Sequence, residues 1–303
     1  MEGFFSIKEA IDKYIAGCES KVTSSHQKFF IKSVFAGMMI AMGAAAGNVA
    51  AHGIDNIGLA RLSSAVVFPV GLMMVILLGA ELFTGDCLMV MGAASGKCNM
   101  WQLFKTLMIV YAGNFVGAVL TAAAVAASGQ FDYSAGLLGA YTIKVAVGKA
   151  AIPFGRAVVS GVLCNILVCG AVLMALCAKD IAGKLLAVFF TIMLFVTAGF
   201  EHCVANMYYI AAGIVAAANP EYLQTAMTEY GYTAEQLSVL NWNNFLLGNL
   251  VPVTIGNMIG GMLIIGLPLL YLNKEQYAGT VKVKEEDHER SIIFGRSIAG
   301  FGR

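Results

Sequence analysis

Charge is what this chain has least of. Only 12% of its 303 residues are Asp, Glu, Lys or Arg, against about 25% in an ordinary soluble domain, and proline (5) and tryptophan (2) are scarce. So few charges cannot cover the water-facing surface of a soluble protein of this length. Lys and Arg balance Asp and Glu to +1, which gives no electrostatic reason to expect a nucleic-acid partner, and no basic stretch interleaved with aromatics is present. The cysteines (Cys18, Cys87, Cys98, Cys164, Cys169, Cys177, Cys203) are odd in number and form no C-x-x-C pair. That argues against a disulfide framework and against structural zinc, and they read as small packing residues. P-loop, nucleophile-elbow and HExxH motifs are missing too, so no cofactor or metal is expected. The first 29 residues carry Lys8, Lys13, Lys21 and Lys28 without an apolar centre, so no cleavable signal peptide is expected.

What is present is apolar sequence in long blocks. The chain is 59% hydrophobic, with runs near 30–52, 62–94, 104–127, 157–178, 185–218 and 244–272. Each can cross about 30 Å of hydrocarbon. The runs are continuous rather than alternating, which predicts helices and not a barrel. An all-α membrane protein with six crossings has both termini on one side. All Lys and Arg fall on that side except Arg61, Lys144, Lys149 and Arg156, and the loop 219–243 carries Glu221, Glu229 and Glu235 but no basic residue. The positive-inside rule then places both termini in the cytoplasm.

Two of the runs, 62–94 and 185–218, are longer than one crossing needs, and each has polar residues at its centre: "GAELFTGD" (79–86) and "GFEHCVAN" (199–206). The third span of each half carries "GNFVG" (113–117) or "GNMIG" (256–260), and Asn48 and Asn165 occupy the first spans. The pattern predicts two halves of three spans, the second inverted, with the second and fifth spans interrupted near mid-membrane. Irregular backbone at that depth is tolerated only against protein or a wet cavity. Gly79 and Gly85 permit the first break, and Thr84 and Asp86 are expected to cap the half-helix that follows. Freed amides and the positive helix end would attract a small anion.

His202 is the one histidine at mid-span, and intramembrane ionisable residues are usually functional. Thr84, at the matching break, is its expected hydrogen-bond partner. Glu81 and Glu201 are expected to accept backbone amides at their own breaks. Lys149 either snorkels to the interface or adds positive potential at a pore mouth. Asn165 and Asn206 either line a path or bridge helices. Phe68, Leu72, Leu82, Phe83 and Phe195 lie near the breaks and read as apolar gates or as ordinary packing. Small-residue runs such as 37–47 and 211–218 favour close helix contact.

With "AELFTGD", "CNILV", "GFEHCVANM" and "GNLVPVTIGN" in that order, the chain resembles the formate/nitrite transporter family, which includes formate, nitrite and hydrosulfide channels. The "LFTGD" stretch leans to the hydrosulfide branch. The resemblance covers roughly 5–272. It implies an aquaporin-like protomer with an amphipathic N-terminal helix (1–29), a channel domain (30–272, repeats about 30–127 and 157–272) and a cytoplasmic tail (273–303). It also implies a homopentamer in the inner membrane with one pore per subunit. His202 would be the central histidine with Thr84 as partner. Asn165 and Lys149 would be polar vestibule or pore residues, and Phe68, Leu72, Leu82, Phe83, Val168 and Phe195 slit positions. The expected function is passage of small weak-acid anions, with His202 able to lend a proton. Rival readings are a neutral-solute pore and a membrane enzyme using Glu81, Glu201 and His202. The N-terminal segment reads either as a gate or as a helix resting on lipid.

Overall fold

The structure, a computed structural model, describes residues 3–273; the expected cytoplasmic tail lies outside them apart from its first residue. Helix α1 (Ile7–Thr23) starts with a reciprocal cap. Ser6 Oγ accepts from the Glu9 amide (3.3 Å), and Glu9 Oε2 accepts from the Ser6 amide (2.7 Å). Its apolar stripe, Ala10, Ile11, Tyr14, Ile15 and Cys18, is buried. This face packs against Met89–Ala94 and Phe154–Cys177, so α1 is docked on the rest of the chain. Gly92 makes room for it: a Cβ there would stand 2.6 Å from Cys18 Sγ.

The first half continues with α2 (His26–Ala51), α3 (Ile57–Val67) and α4 (Val70–Leu78), the last two forming one crossing whose hydrogen-bond ladder is interrupted at Pro69. Proline lacks the amide that would continue the ladder. After a break come α5 (Phe83–Asp86), α6 (Met89–Ala94) and the full crossing α7 (Met100–Ala127). Crossings start earlier than the apolar runs because polar caps precede them. Asn56 Oδ1 accepts from the Leu59 amide (3.0 Å), and Asn99 forms a capping box with Gln102.

Beyond α1, three α-helices among the described residues lie outside the expected crossings. Helix α8 (Leu137–Ala150) is too short to span and is largely buried. It lies against the helix Cys203–Ala217, where a Cβ on Gly213 would meet Ala146 at 2.1 Å. The second half then repeats the first with α9 (Phe154–Cys177), α10 (Ile181–Ala198), a break, and α11 (Cys203–Ala217). The second addition, α12 (Pro220–Tyr230), lays Tyr222 over Gly139 of α8, and a one-turn helix α13 (Ala234–Leu237) follows. The last crossing, α14 (Asn244–Asn273), is π-helical over Asn244–Leu250 and Ile259–Gly266. Six helices among the described residues are long and apolar enough to cross a membrane.

The repeat can be read in the packing. A Cβ on Gly113 or Gly117 of α7 would collide with α2 carbonyls, Phe30 O at 2.9 Å and Val34 O at 2.1 Å. On Gly256 or Gly260 of α14 it would collide with α9 carbonyls, Val158 O at 2.1 Å and Val162 O at 2.3 Å. Four matched contacts set one register between the halves. In that register the position equivalent to Asn165 is Gly37, so Asn165 has no asparagine counterpart in the first half. Helix association in lipid depends on such close approach.

Candidate functional site

Both breaks have the same construction. Helix α4 ends on Gly79 (φ 67°) and α10 on Gly199 (φ 74°), in the left-handed conformation that glycine adopts without strain. Two residues after each glycine comes a glutamate, Glu81 or Glu201, then an extended residue, Leu82 or His202, before the next half-helix. Gly85 takes no part in the break; it sits inside α5 with ordinary backbone.

The asparagines of the two Gly-Asn motifs hold these breaks. Asn114 Oδ1 accepts from the Phe83 amide (2.9 Å), while its Nδ2 donates to Ser33 O (2.7 Å) and Glu81 O (2.9 Å). Asn257 Oδ1 accepts from the Cys203 amide (2.9 Å), and its Nδ2 donates to Gly161 O (2.8 Å) and Glu201 O (3.0 Å). Both are fully buried. Thr84 and Asp86 make no capping bond, and the Phe83 amide at the head of α5 is taken by Asn114. Sequence reasoning used these motifs only as marks of duplication; an identical Gly-Asn at equivalent places was the signal for their role.

His202 is itself the cap of α11: its Nδ1 accepts from the Ala205 amide (3.0 Å). A nitrogen that accepts carries no proton, so the ring proton is on Nε2. Nε2 lies 2.8 Å from Thr84 Oγ1, and the ring donates there. Thr84 O accepts from Asn165 Nδ2 (3.2 Å) and from the Cys169 thiol (3.3 Å), and Asn165 Nδ2 also donates to Asn257 O (2.6 Å). Asn165 Oδ1 is buried without a partner.

The glutamates face lysines, not loop amides, which corrects the expectation. Lys149, at the end of α8, donates to Glu201 Oε1 (2.9 Å), and Asn206 Nδ2 donates to Glu201 Oε2 (2.6 Å) and Asn249 Oδ1 (2.9 Å). Asn249 Nδ2 returns to Lys149 O (2.9 Å), closing a ring. On the terminal side Lys21 of α1 donates to Glu81 Oε2 (2.6 Å) and to Asp86, and Lys32 lies 3.9 Å from Glu81. Tyr14 of α1 donates to Gly85 O (3.1 Å). Burial works against the Lys21 ammonium, but the Asp86 and Glu81 carboxylates outweigh it and hold its pKa above the usual lysine value. The two clusters correspond: Lys21, Glu81 and Asp86 match Lys149, Glu201 and Asn206. Each leaves one buried oxygen unpartnered, Asp86 Oδ2 and Asn206 Oδ1.

A cavity of about 460 Å³ opens on the side away from the termini and reaches His202. Phe68 and Phe195 line it and meet edge to face, with ring centres 5.7 Å apart, and Phe195 lies 6.0 Å from the His202 ring. Lys149, Glu201, Arg61 and Lys144 also line it. The cavity brings together His202, Phe68, Phe195, Lys149 and Glu201. The other expected slit residues, Leu72, Leu82, Phe83 and Val168, are buried but outside its lining. Phe83 packs edge-on against Tyr111, with centres 4.9 Å apart. No group of three His, Cys, Asp or Glu side chains among the described residues could hold a metal ion.

Comparison with known proteins agrees with this architecture. A family model described as formate/nitrite transporter matches residues 8–271. The chain is 38% identical over 219 residues to the formate channel FocA of Haemophilus influenzae, covering 72% of this chain and 76% of that protein. It is 35% identical over 263 residues to FocA of Escherichia coli K12, covering 85% and 91%. A solved pentameric formate channel with formate bound superposes with a TM-score of 0.74 at 32% identity, covering 82% of this chain and 98% of that one. These relatives are named as channels, not enzymes. A chain with two asparagine-held broken helices around one buried histidine, matched over nearly its whole length, belongs to the formate/nitrite transporter family of multi-pass membrane channels.

Proposed function

We propose that this protein is a channel for small monovalent weak-acid anions, with formate and nitrite as the primary class and hydrosulfide as a further member. We also propose that it works as a homopentamer in the inner membrane, one pore per subunit, with both termini cytoplasmic. The excess of Lys and Arg on the terminal side supports the orientation. The observation that carries the functional reading is His202, buried beneath the Phe68–Phe195 pair with one ring nitrogen fixed by a backbone amide and the other on Thr84.

An anion cannot enter an apolar slit bare, because stripping an ion of water costs tens of kcal/mol in a low dielectric. The anion is first concentrated by the cations of the cavity. At the slit it replaces Thr84 as acceptor of the Nε2 proton. In this geometry His202 is a fixed hydrogen-bond donor. To lend a proton as imidazolium the ring must first accept one at Nδ1, which breaks the α11 cap. Transfer of the proton to the anion from His202 therefore requires the cap to open, whereas donation of a hydrogen bond does not.

The test is uptake of labelled formate and nitrite into proteoliposomes at two pH values, with His202→Asn beside the unmodified protein. Asparagine is a good cap, so the variant retains its fold while losing the Nε2 donor. Anion uptake falls at least tenfold, since a charge-assisted hydrogen bond is worth about 1.5–3 kcal/mol. Unchanged uptake in a folded variant would remove the donor role, and glycerol passing as fast as formate would point to a neutral-solute pore.

A further inference from the structure

Three cationic side chains line the cavity: Arg61 of α3, and Lys144 and Lys149 of α8. Two are engaged. Lys149 is ion-paired with Glu201 at 2.9 Å, and Lys144 Nζ lies 4.3 Å from the centre of the Tyr230 ring. Arg61 has no carboxylate partner among the described residues. Its guanidinium lies over Gly199: Nη1 would be 2.7 Å from a Cβ there. At the matching glycine of the first half, Gly79, nothing lies within 4 Å of the same position. One break does without a cation on its terminal glycine, so the broken-helix plan does not require Arg61. It is an addition on the cavity side alone.

We propose that Arg61 forms an outer capture site for planar two-oxygen anions, and that this site gives the channel a preference for formate and nitrite over anions with one acceptor atom. The inference rests on the anion-channel function above. A guanidinium presents two parallel N–H donors in one plane, which match the two oxygens of a carboxylate or of nitrite. Hydrosulfide or chloride offers one acceptor atom and gains only the charge. Lys149 does not supply this selectivity, because Glu201 balances its charge. The site also lies where it matters for entry. The end of α10 presents partial negative charge toward Gly199, and the Arg61 guanidinium covers it before the path reaches the Phe68–Phe195 pair.

The test is labelled-formate uptake into proteoliposomes, competed by unlabelled formate, nitrite, hydrosulfide or chloride on the cavity side, for the unmodified protein, Arg61→Gln and Arg61→Lys. In Arg61→Gln the half-inhibiting concentrations of formate and nitrite rise about tenfold and those of hydrosulfide and chloride about twofold, so the preference falls about fivefold. Arg61→Lys restores the charge without the planar fork, so it recovers hydrosulfide and chloride competition and not the preference. Equal weakening of all four competitors, reversed by lysine, would overturn the site in favour of a general field. An unaltered preference with a lowered melting temperature would make Arg61 a helix cap only. Should Arg61→Gln not fold, Arg61→Lys alone decides, through the same ratio. Absence of formate uptake by the unmodified protein would sink the channel function itself, whereas uptake with unaltered preference in the variants sinks this site alone.

Discussion

Asn114 and Asn257 each satisfy three main-chain groups with one side chain, at the two points where the membrane helices are open. Asn257→Ala strands the Cys203 amide and the carbonyls of Gly161 and Glu201. Hydrogen bonds in lipid average about 0.6 kcal/mol each and reach about 1.7, so the expected loss of three is roughly 2–5 kcal/mol, read as a lower melting temperature in detergent. Asn114→Ala behaves alike because its partners match one for one; tolerance of either change would dissolve the equivalence of the breaks. Asp86→Asn is expected to leave uptake and stability close to normal, since Asn206 already occupies the matching place beside Glu201 and Lys149. A collapse in uptake on that change would show that the Asp86 charge is essential. His202 and Thr84 were legible because a polar group in an apolar run stands out. The partners of Glu81 and Glu201 were not, because their lysines reach in from α1 and α8, elements that carry no mark of the repeat.

The four-residue breaks turn on Gly79 and Gly199, and the same substitution separates their surroundings. A left-handed non-glycine residue costs about 1–2 kcal/mol. Gly79→Ala is expected to lower stability by about that much and leave uptake near normal, because the site is open. Gly199→Ala adds a collision with the Arg61 guanidinium at 2.7 Å, so it also weakens anion entry; equal effects of the two changes on uptake would contradict this. Helix α1 has its own dependence on acid. The Ser6 amide and hydroxyl hold the Glu9 carboxyl below its ordinary value of 4.5. The contribution of this cap is therefore present above pH 4.5 and is lost as pH falls through the depressed value. Hydrogen exchange in the first turn of α1 should accelerate over that acid range and lose the dependence in Glu9→Gln. The broken helices could be read from two over-long runs with polar centres, each ended by Gly-x-Glu. Helix α8 could not, since its 14 residues are too few to cross and two lysines interrupt them, so they read as a loop beside spans of about 20. The π-helical stretches of α14 leave no periodic trace in an apolar run.

At the scale of the molecule, exposed apolar surface has to meet lipid or other copies of the chain. Leu186, Phe190 and Leu194 of α10 and Leu59, Leu62 and Val66 of α3 are exposed along two adjoining crossings. A pentamer buries part of such a belt and leaves the rest to acyl chains. Yet the pore itself borrows nothing from a neighbour: Arg61, Lys149, Phe68, Phe195, His202 and Thr84 come together within one chain. Assembly and conduction should therefore separate. When unmodified subunits are co-expressed with inactive His202→Leu subunits, native mass spectrometry should show five chain masses in mixed proportions. Formate uptake should then fall in direct proportion to the inactive fraction, because each remaining cavity is complete. A decline as a high power of the unmodified fraction would mean that the subunits open together and that the single-chain pore is an incomplete description. Linear decline with intact pentamers would show that the assembly stabilises and orients five independent paths, which is what a site closed within its own chain requires.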